Sequence, residues 1–582
     1  MLWSPTMPLE AVLTTMEQTG SFAEFKTAGA DSGIVLLGTP MGSAAFVHDA
    51  IMKEAPLLQL ALDRLHRFQR IQTRMLLVRY CTPQRLNHII RTVPPSQCAR
   101  AVQALDLTIL QAFGSLQGFA STHPTWARLL RLPQRLGGTG LTAAAEIAPL
   151  AYIASVADTA RNIDLPAFSA IRADFRSWLG AEPTPTWAVD TELDDCLSRF
   201  LHGIHCHQQL HPGFAVELMD KPASLPRSTR ELLTTEPKLQ QRLSRLLNEV
   251  HFESIKTSAH LALRTRMLSN SQPGASSCYD AIPSCAKLSL HNPVFSHFLR
   301  QYQAISELEP QSFRCPCNRS ASDPPEGALV DSMHWDLCRL GGGMTARHNH
   351  VAAAVDECLC SGGFLTRPQY RAQGPGARPD IEVYNFPYPG TNAYVEVSIT
   401  SPFQSQQIHA ASQHPLRAAD AREEEKRRKY REMAVRNRYN ILPAVMESTG
   451  AFGRSLQQIL ATTASAAKPE QFANSEPHRT WASRSFPRYW SQRIAIAFWQ
   501  GSFAMLQCAA QVCTTRGVTH PSSPADPPSL SSAPSPRNAP SRRTPDTAST
   551  VLPFTASRTT TPPYPAFTTA QSPPPSLVAA TA

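Results

Sequence analysis

The sequence predicts a multidomain protein of α and α/β classes: helical over its first half, α/β towards its C-terminal end, with a small metal-binding element between. Three observations lead there. Apolar residues recur at three- and four-residue spacing over much of the stretch from Ala50 to residue 300. Two alternating runs, RPDIEVYNF and AYVEVSIT, flank the turn chemistry of PYPGTN and precede a strongly charged helical stretch. Between the two regimes, cysteines and histidines crowd from Cys315 to His350. The chain has 582 residues, room for three or four units at roughly 150 residues each. Its 42% apolar content supplies a sizeable core.

Residues 1–50 mix short apolar runs with glycines, and GIVLLGTPMGS (Gly33 to Ser43) reads as a buried strand followed by a turn. The helical pattern then takes over. LLQLALDRLHRFQRIQTRMLLVRY brings Leu58, Leu62, Leu65, Phe68, Met75, Leu76 and Val78 near one another. Further helices follow in ARAVQALDLTILQAF, in LTAAAEIAPLAYIASVAD behind the turn LGGTG, and in TEPKLQQRLSRLLNEVHFESI. Ser-, Pro- and Cys-containing loops are expected from Ser269 to Ser284. Beyond the two strand-like runs come the helix ADAREEEKRRKYREMAVRNR, the strand ILPAVM and a last aromatic-rich helix. Ile494 to Cys513 carries Gln500, Gln507, Gln511 and Gly501, which fits a buried or amphipathic terminal helix better than a membrane span. From Thr519 the chain is dominated by Ser, Pro, Thr and Ala. Such a tail buries too little apolar surface to offset its ordering entropy and is expected to be disordered.

Lys+Arg 55 against Asp+Glu 45 leaves a formal charge of +10, which suits an anionic partner such as nucleic acid. Arg64, Arg67, Arg70, Arg74 and Arg79, scattered over helices, are candidates for phosphate contacts. The opening MLWSPTMPLE has neither a basic stretch nor an apolar core of a secretory signal, so a nuclear or cytoplasmic location is expected and secretion is not. In such a compartment the 13 cysteines read as core residues, metal ligands or reactive thiols before disulfides.

Two constellations carry chemistry. Cys315-Pro-Cys317 with His334-x3-Cys338 offers three sulfurs and an imidazole, a donor set that completes a tetrahedral Zn²⁺ shell. His348, His350 and the Cys358-Leu-Cys360 pair are substitute ligands, and the fourth ligand stays open between Cys338 and His348. The second constellation is Pro379-Asp380 with Glu396. Carboxylates brought together from adjacent strands can hold Mg²⁺ or Mn²⁺, which orients a phosphodiester and lowers the pKa of an attacking water. A cation must then stabilise the transition state. In the common arrangement a Lys lies two residues beyond the second carboxylate, but here that position is Ser398. The candidates are Lys426 and Lys429, beside Tyr430 on the charged helix, and Arg378 ahead of the Pro-Asp. Taken singly, each feature has a plainer reading: loop cysteines, a turn Asp with an edge-strand Glu, and a solvated helix face for EEEKRRKYR.

Taken in order, CPCN, HWDLC, RHN, RPD, YVEVSIT, KRRKY and ESTGAFG resemble the C-terminal region of site-specific non-LTR retrotransposon proteins. Upstream, GIVLLGTPMG, LVRYCTPQRLNHIIRTVPP and LPQRLGGTGLTAAAEIAPLAYIASVAD resemble the end of a reverse-transcriptase palm and its helical thumb. The resemblance implies a palm-like end at 1–50, a helical thumb and connector at 51–300, and a Cys/His zinc-binding element at 305–360. It further implies a restriction-like, PD-(D/E)xK-like endonuclease domain at 361–470, a C-terminal helix at 471–518 and a disordered tail at 519–582. Asp380 and Glu396 take the metal-binding positions, Lys426, Lys429 and Tyr430 the basic and aromatic ones, and Cys315, Cys317, His334 and Cys338 the finger positions. The polymerase's aromatic-x-Asp-Asp motif is missing, since Asp194-Asp195 lies in the helical context TELDDCLSRF, and reverse transcription is not expected. The implied chain is the C-terminal portion of an element protein that nicks target DNA with a metal-activated water, with element RNA as a second partner. One alternative is a catalytically silent relic that holds nucleic acid through basic helices. Another is a helical scaffold with a structural zinc.

Overall fold

A computed structural model describes residues 32–162, 238–309, 340–369 and 378–515 continuously, with shorter pieces before and between them. Contacts divide the chain into Met1–Pro527 and Pro528–Ala582, and everything described falls in the first unit. The tail expected from Thr519 lies outside the described residues.

The N-terminal region opens with a hairpin of β1 (Gly33–Leu36) and β2 (Thr39–Gly42), antiparallel in register Ile34 to Met41. Leu37 and Gly38 both take positive φ, 51° and 82°, as a two-residue hairpin turn of the primed type requires. The expected buried strand is therefore corrected. Val35, Leu36 and Leu37 are 47%, 50% and 90% exposed, because an apolar run by itself does not say which side of a hairpin is covered.

Helices follow: α1 (Ala44–Met52), α2 (Glu54–Leu65), α3 (Ile71–Cys81), α4 (Pro95–Gln117), α5 (Pro124–Arg131) and α6 (Ala144–Asn162). The helical run expected from Leu57 to Tyr80 is two helices broken at His66–Arg70. Leu58, Leu62, Met75, Leu76 and Val78 are buried as their spacing demands, but Phe68 falls in the break and is exposed. Asp106 of α4 sets the start of α6, its carboxylate accepting from the amides of Ala144 and Ala145 at 3.0 and 2.8 Å. After α7 (Leu239–Ser258), α8 (Leu261–Asn270) extends into the stretch expected to be loop, and a short helix, Ser277–Asp280, buries Cys278 and Tyr279. Next comes α9 (Asn292–Tyr302). Asp195 lies in a helical segment and pairs with Arg199 at 3.3 Å, as its helical context predicts.

A second hairpin, β3 (Ser312–Cys315) with β4 (Ala328–Asp331), leads to α10 (Gly343–Ser361). Four strands then form a mixed sheet: β5 (Leu365–Pro368), β6 (Ile381–Tyr384), β7 (Asn392–Thr400) and β8 (Tyr439–Glu447), in spatial order β8-β7-β6-β5. β5, β6 and β7 form an antiparallel meander, and β8 runs parallel to β7 with Pro443 opposite Glu396. A parallel neighbour needs a crossover, supplied by α11 (Arg417–Asn437), the expected charged helix. Two long helices, with the short helix Pro469–Ser475 between them, close the described fold: α12 (Arg454–Ala466) and α13 (Phe486–Thr515). No helix among the described residues is long and apolar enough to cross a membrane.

α10 and α13 pack backbone to backbone. A Cβ on Gly501 would stand 2.6 Å from the Cα of Arg347, and one on Gly343 would stand 2.5 Å from the Cα of Met505, so both positions need glycine. One apolar cluster runs from Val47 of α1 through Phe298 of α9 and Val395 of β7 to Trp499 of α13. The molecule is thus mostly helical, with a small mixed sheet on one flank of a shared core.

Candidate active site and metal centre

β7 alternates by residue, as a strand must. Ala393, Val395 and Val397 enter the core, so Tyr394, Glu396 and Ser398 face the opposite side, where α11 lies. On α11, Arg422, Lys426 and Tyr430 recur every four residues and form one stripe. Stripe and strand meet in a polar ladder. Lys426 Nζ lies 2.7 Å from Glu396 Oε1, Tyr430 Oη donates to the same oxygen at 3.0 Å, and Arg422 Nε donates to Ser398 Oγ at 2.8 Å. Asn437 Nδ2 reaches Tyr394 Oη at 2.8 Å at the far end.

Asp380 stands just ahead of β6, and its Oδ2 accepts from the Val397 amide at 2.7 Å and contacts His348 Nε2 at 3.1 Å. Both carboxylates are buried. Burial, then the charge of Asp380, raises Glu396 above the usual carboxylate range, against the pull of Lys426 and Tyr430. Burial works to lower His348, but its hydrogen bond and charge contact with Asp380 prevail and raise it. Glu396 Oε2 is buried with no hydrogen-bond partner. An orphaned carboxylate oxygen beside a second carboxylate and an ammonium fits a divalent cation, which takes oxygen ligands.

The sequence-derived candidates divide accordingly. Asp380, Glu396, Lys426 and Tyr430 come together. Lys429 is exposed and rests its Nζ 4.9 Å from the centre of the Tyr430 ring. Arg378 takes part through its backbone carbonyl, which accepts from Tyr430 Oη at 3.4 Å. His348 and Arg422 were not anticipated here. Arg422 had a signal, since it lies one turn before Lys426 on the same stripe.

The second centre gathers Cys315, Cys317, His334 and Cys338, whose donor atoms all lie within 4.8 Å of one another. The Cys315 and Cys338 sulfurs are 3.8 Å apart. That is close to the edge of a tetrahedron built on Zn–S bonds of about 2.3 Å. His334 Nε2 meets Cys317 Sγ at 2.9 Å. Burial, then the neighbouring sulfurs, pushes the Cys338 thiol far up, a cost that a bound cation removes by taking thiolates. Three sulfurs and one imidazole can hold a metal ion, and the set is one that zinc favours. The substitute ligands fall elsewhere: His348 is on Asp380, His350 is exposed, Cys358 is buried in the core and Cys360 contacts Thr366. The fourth position therefore belongs to Cys338 and not to His348.

The two centres share a scaffold. Cys315 and Cys338 pack on Ala509 of α13, and α10 starts five residues after Cys338 and carries His348 to Asp380. No protein family's sequence profile matches the chain, and no curated protein matches it either.

Proposed function

We propose that the chain is a metal-dependent DNA endonuclease module of retrotransposon type, with a restriction-like site on β6, β7 and α11 and one structural zinc on the Cys/His group. The observation that carries this reading is the free, buried Glu396 Oε2 beside Asp380, with the Lys426 ammonium 2.7 Å from the other oxygen. Asp380 and Glu396 would hold Mg²⁺ or Mn²⁺, which supplies an acidified water and charge neutralisation at the phosphodiester. The chain's own residues prepare the rest. Lys426 and Tyr430 fix Glu396 Oε1 and so aim Oε2, while the Val397 amide fixes Asp380. Lys426 delivers from α11 the ammonium that Ser398 cannot supply, close to where a phosphate gains negative charge.

Nicking of supercoiled plasmid in Mg²⁺ or Mn²⁺ tests the reading. Wild type should nick, whereas Asp380→Asn and Glu396→Gln should lose about two orders of magnitude in rate while still binding DNA. If wild type and Asp380→Asn are equally inactive and both bind DNA, a silent nucleic-acid-binding relic replaces the enzyme.

A further inference from the structure

A cavity of about 610 Å³ opens beyond the Ser398 end of the polar ladder. Its walls come from five segments: Cys317 and His334 of the metal group, Met344 of α10, the end of β7, Gln404 to Gln407 after it, and the first turns of α11. Ile399 and Thr400 line it, so it begins about 10 Å along β7 from Glu396, three residues at about 3.3 Å each.

Its polar lining includes three side-chain amides unspent within the described residues. Gln404, Gln406 and Gln407 border the cavity, and none of their side-chain amides has a hydrogen-bond partner among the described residues. Each amide offers two donors and an acceptor, the complement that base edges demand. Arg422 adds a cation at the end nearest the carboxylates. Its Nε is on Ser398 and its Nη1 on Glu425 at 2.7 Å, an exposed and therefore weak ion pair, which leaves Nη2 for a phosphate. A cavity of this size takes one or two nucleotides. It does not take a duplex, whose major groove alone is about 12 Å wide.

From this we infer that the cavity is a subsite for unpaired nucleotides of the DNA strand being cut, with Arg422 on a phosphate and the glutamines on base edges. The inference rests on the endonuclease reading and adds a substrate requirement: the strand must be locally unpaired beside the scissile bond.

The test uses the full chain carrying Asp380→Asn, so that binding is read without cleavage. Fluorescence anisotropy compares a duplex, the same duplex with a four-nucleotide bubble, and single-stranded DNA and RNA of the same sequence. The bubble and the single-stranded DNA should bind about tenfold tighter than the duplex. Gln404→Ala with Gln407→Ala should remove about tenfold of that advantage and leave duplex affinity unchanged, and Arg422→Gln should weaken bubble binding about tenfold more than duplex binding. Ala421→Trp, which fills the cavity, should do the same, and matched melting temperatures certify that each variant folds. Equal affinity of the parent for bubble and duplex, or an advantage untouched by all three changes, overturns the proposal. RNA binding tighter than DNA overturns the assignment to the cut strand. Nicking by the chain with native Asp380 is scored separately. Strand preference without nicking would sink the endonuclease reading alone, and nicking without strand preference would sink the cavity subsite alone.

Discussion

Lys426 and Lys429 sit less than one turn apart on α11 and meet opposite surroundings. Lys426 is buried on Glu396, whereas Lys429 projects into solvent along Tyr430. Lys426→Ala should therefore cut the nicking rate by about two orders of magnitude, and Lys429→Ala should change it less than threefold, since an exposed cation contributes through screened charge alone. Equal losses in the two variants would contradict this division. Spacing could not separate the lysines because the long segment between β7 and α11, with its short helix Ile408–Ala411, carries no pattern that sets how α11 meets β7; burial separates them. The same limit explains His348. Its neighbourhood of cysteines pointed to zinc, but helical geometry turns it away from Cys338 and onto Asp380. Asp380 and Glu396 were legible because a turn joins their strands in sequence. Glu447 opens the quoted run ESTGAFG, but its burial was not legible there. It ends β8, takes hydrogen bonds from Ser269 Oγ and the Ala419 amide, and burial pushes it up to about 7. A folded-state value above the unfolded one means the folded chain binds more protons, so stability from this group is full below about 4.5 and falls as pH rises towards 7. The loss amounts to about 3 kcal/mol by pH 8. Glu447→Gln should melt higher than wild type at pH 8 and lose that advantage at pH 5; a pH-independent difference would show that the carboxyl does not titrate as described.

At the scale of elements, the strands β6 to β8 and the helix α11 were readable, since period two and period 3.6 each bury a defined face. The β1–β2 hairpin was misread as buried because apolar composition does not reveal which neighbours arrive to cover it. The loops expected near Ser269 to Ser284 are found except at the end of α8 and in the short helix Ser277–Asp280, where tertiary contacts bury Cys278 and Tyr279. α10 has a mechanical role that no pattern announces, because it leaves the Cys/His group and reaches Asp380 within its first two turns. Metal loss should therefore be felt at the carboxylates. Cys315→Ser in the full chain should hold less than half an equivalent of zinc by elemental analysis and show faster amide exchange from residue 340 to 350. Its nicking rate should fall together with its zinc content. Full zinc occupancy in this variant, or exchange unchanged in α10, would separate the metal group from the site.

Over the whole molecule, part of the basic balance is spent within the fold. Arg70 bonds Ser289, Arg74 bonds the carbonyls of Phe68 and His66, and Arg79 pairs with Asp280, so three of the five scattered arginines brace α3 against its surroundings. Replacing them should lower stability more than affinity. The same bracing tells how the unit unfolds. Phe298 of α9 stacks edge-on against Trp499 of α13, with ring centres 5.2 Å apart, and both side chains lie in the cluster that also holds Val395 and Val397 beneath Glu396. A core shared between sequence-distant elements loses its contacts together, so near-UV circular dichroism and zinc release should report one transition. Phe298→Ala removes a fully buried ring from that core and should destabilise it by about 3–5 kcal/mol, shifting both signals by the same amount. A shift in the near-UV signal with zinc release unmoved would mean that the helical region and the metal group unfold as separate units, and that the Phe298–Trp499 contact carries no coupling to the site.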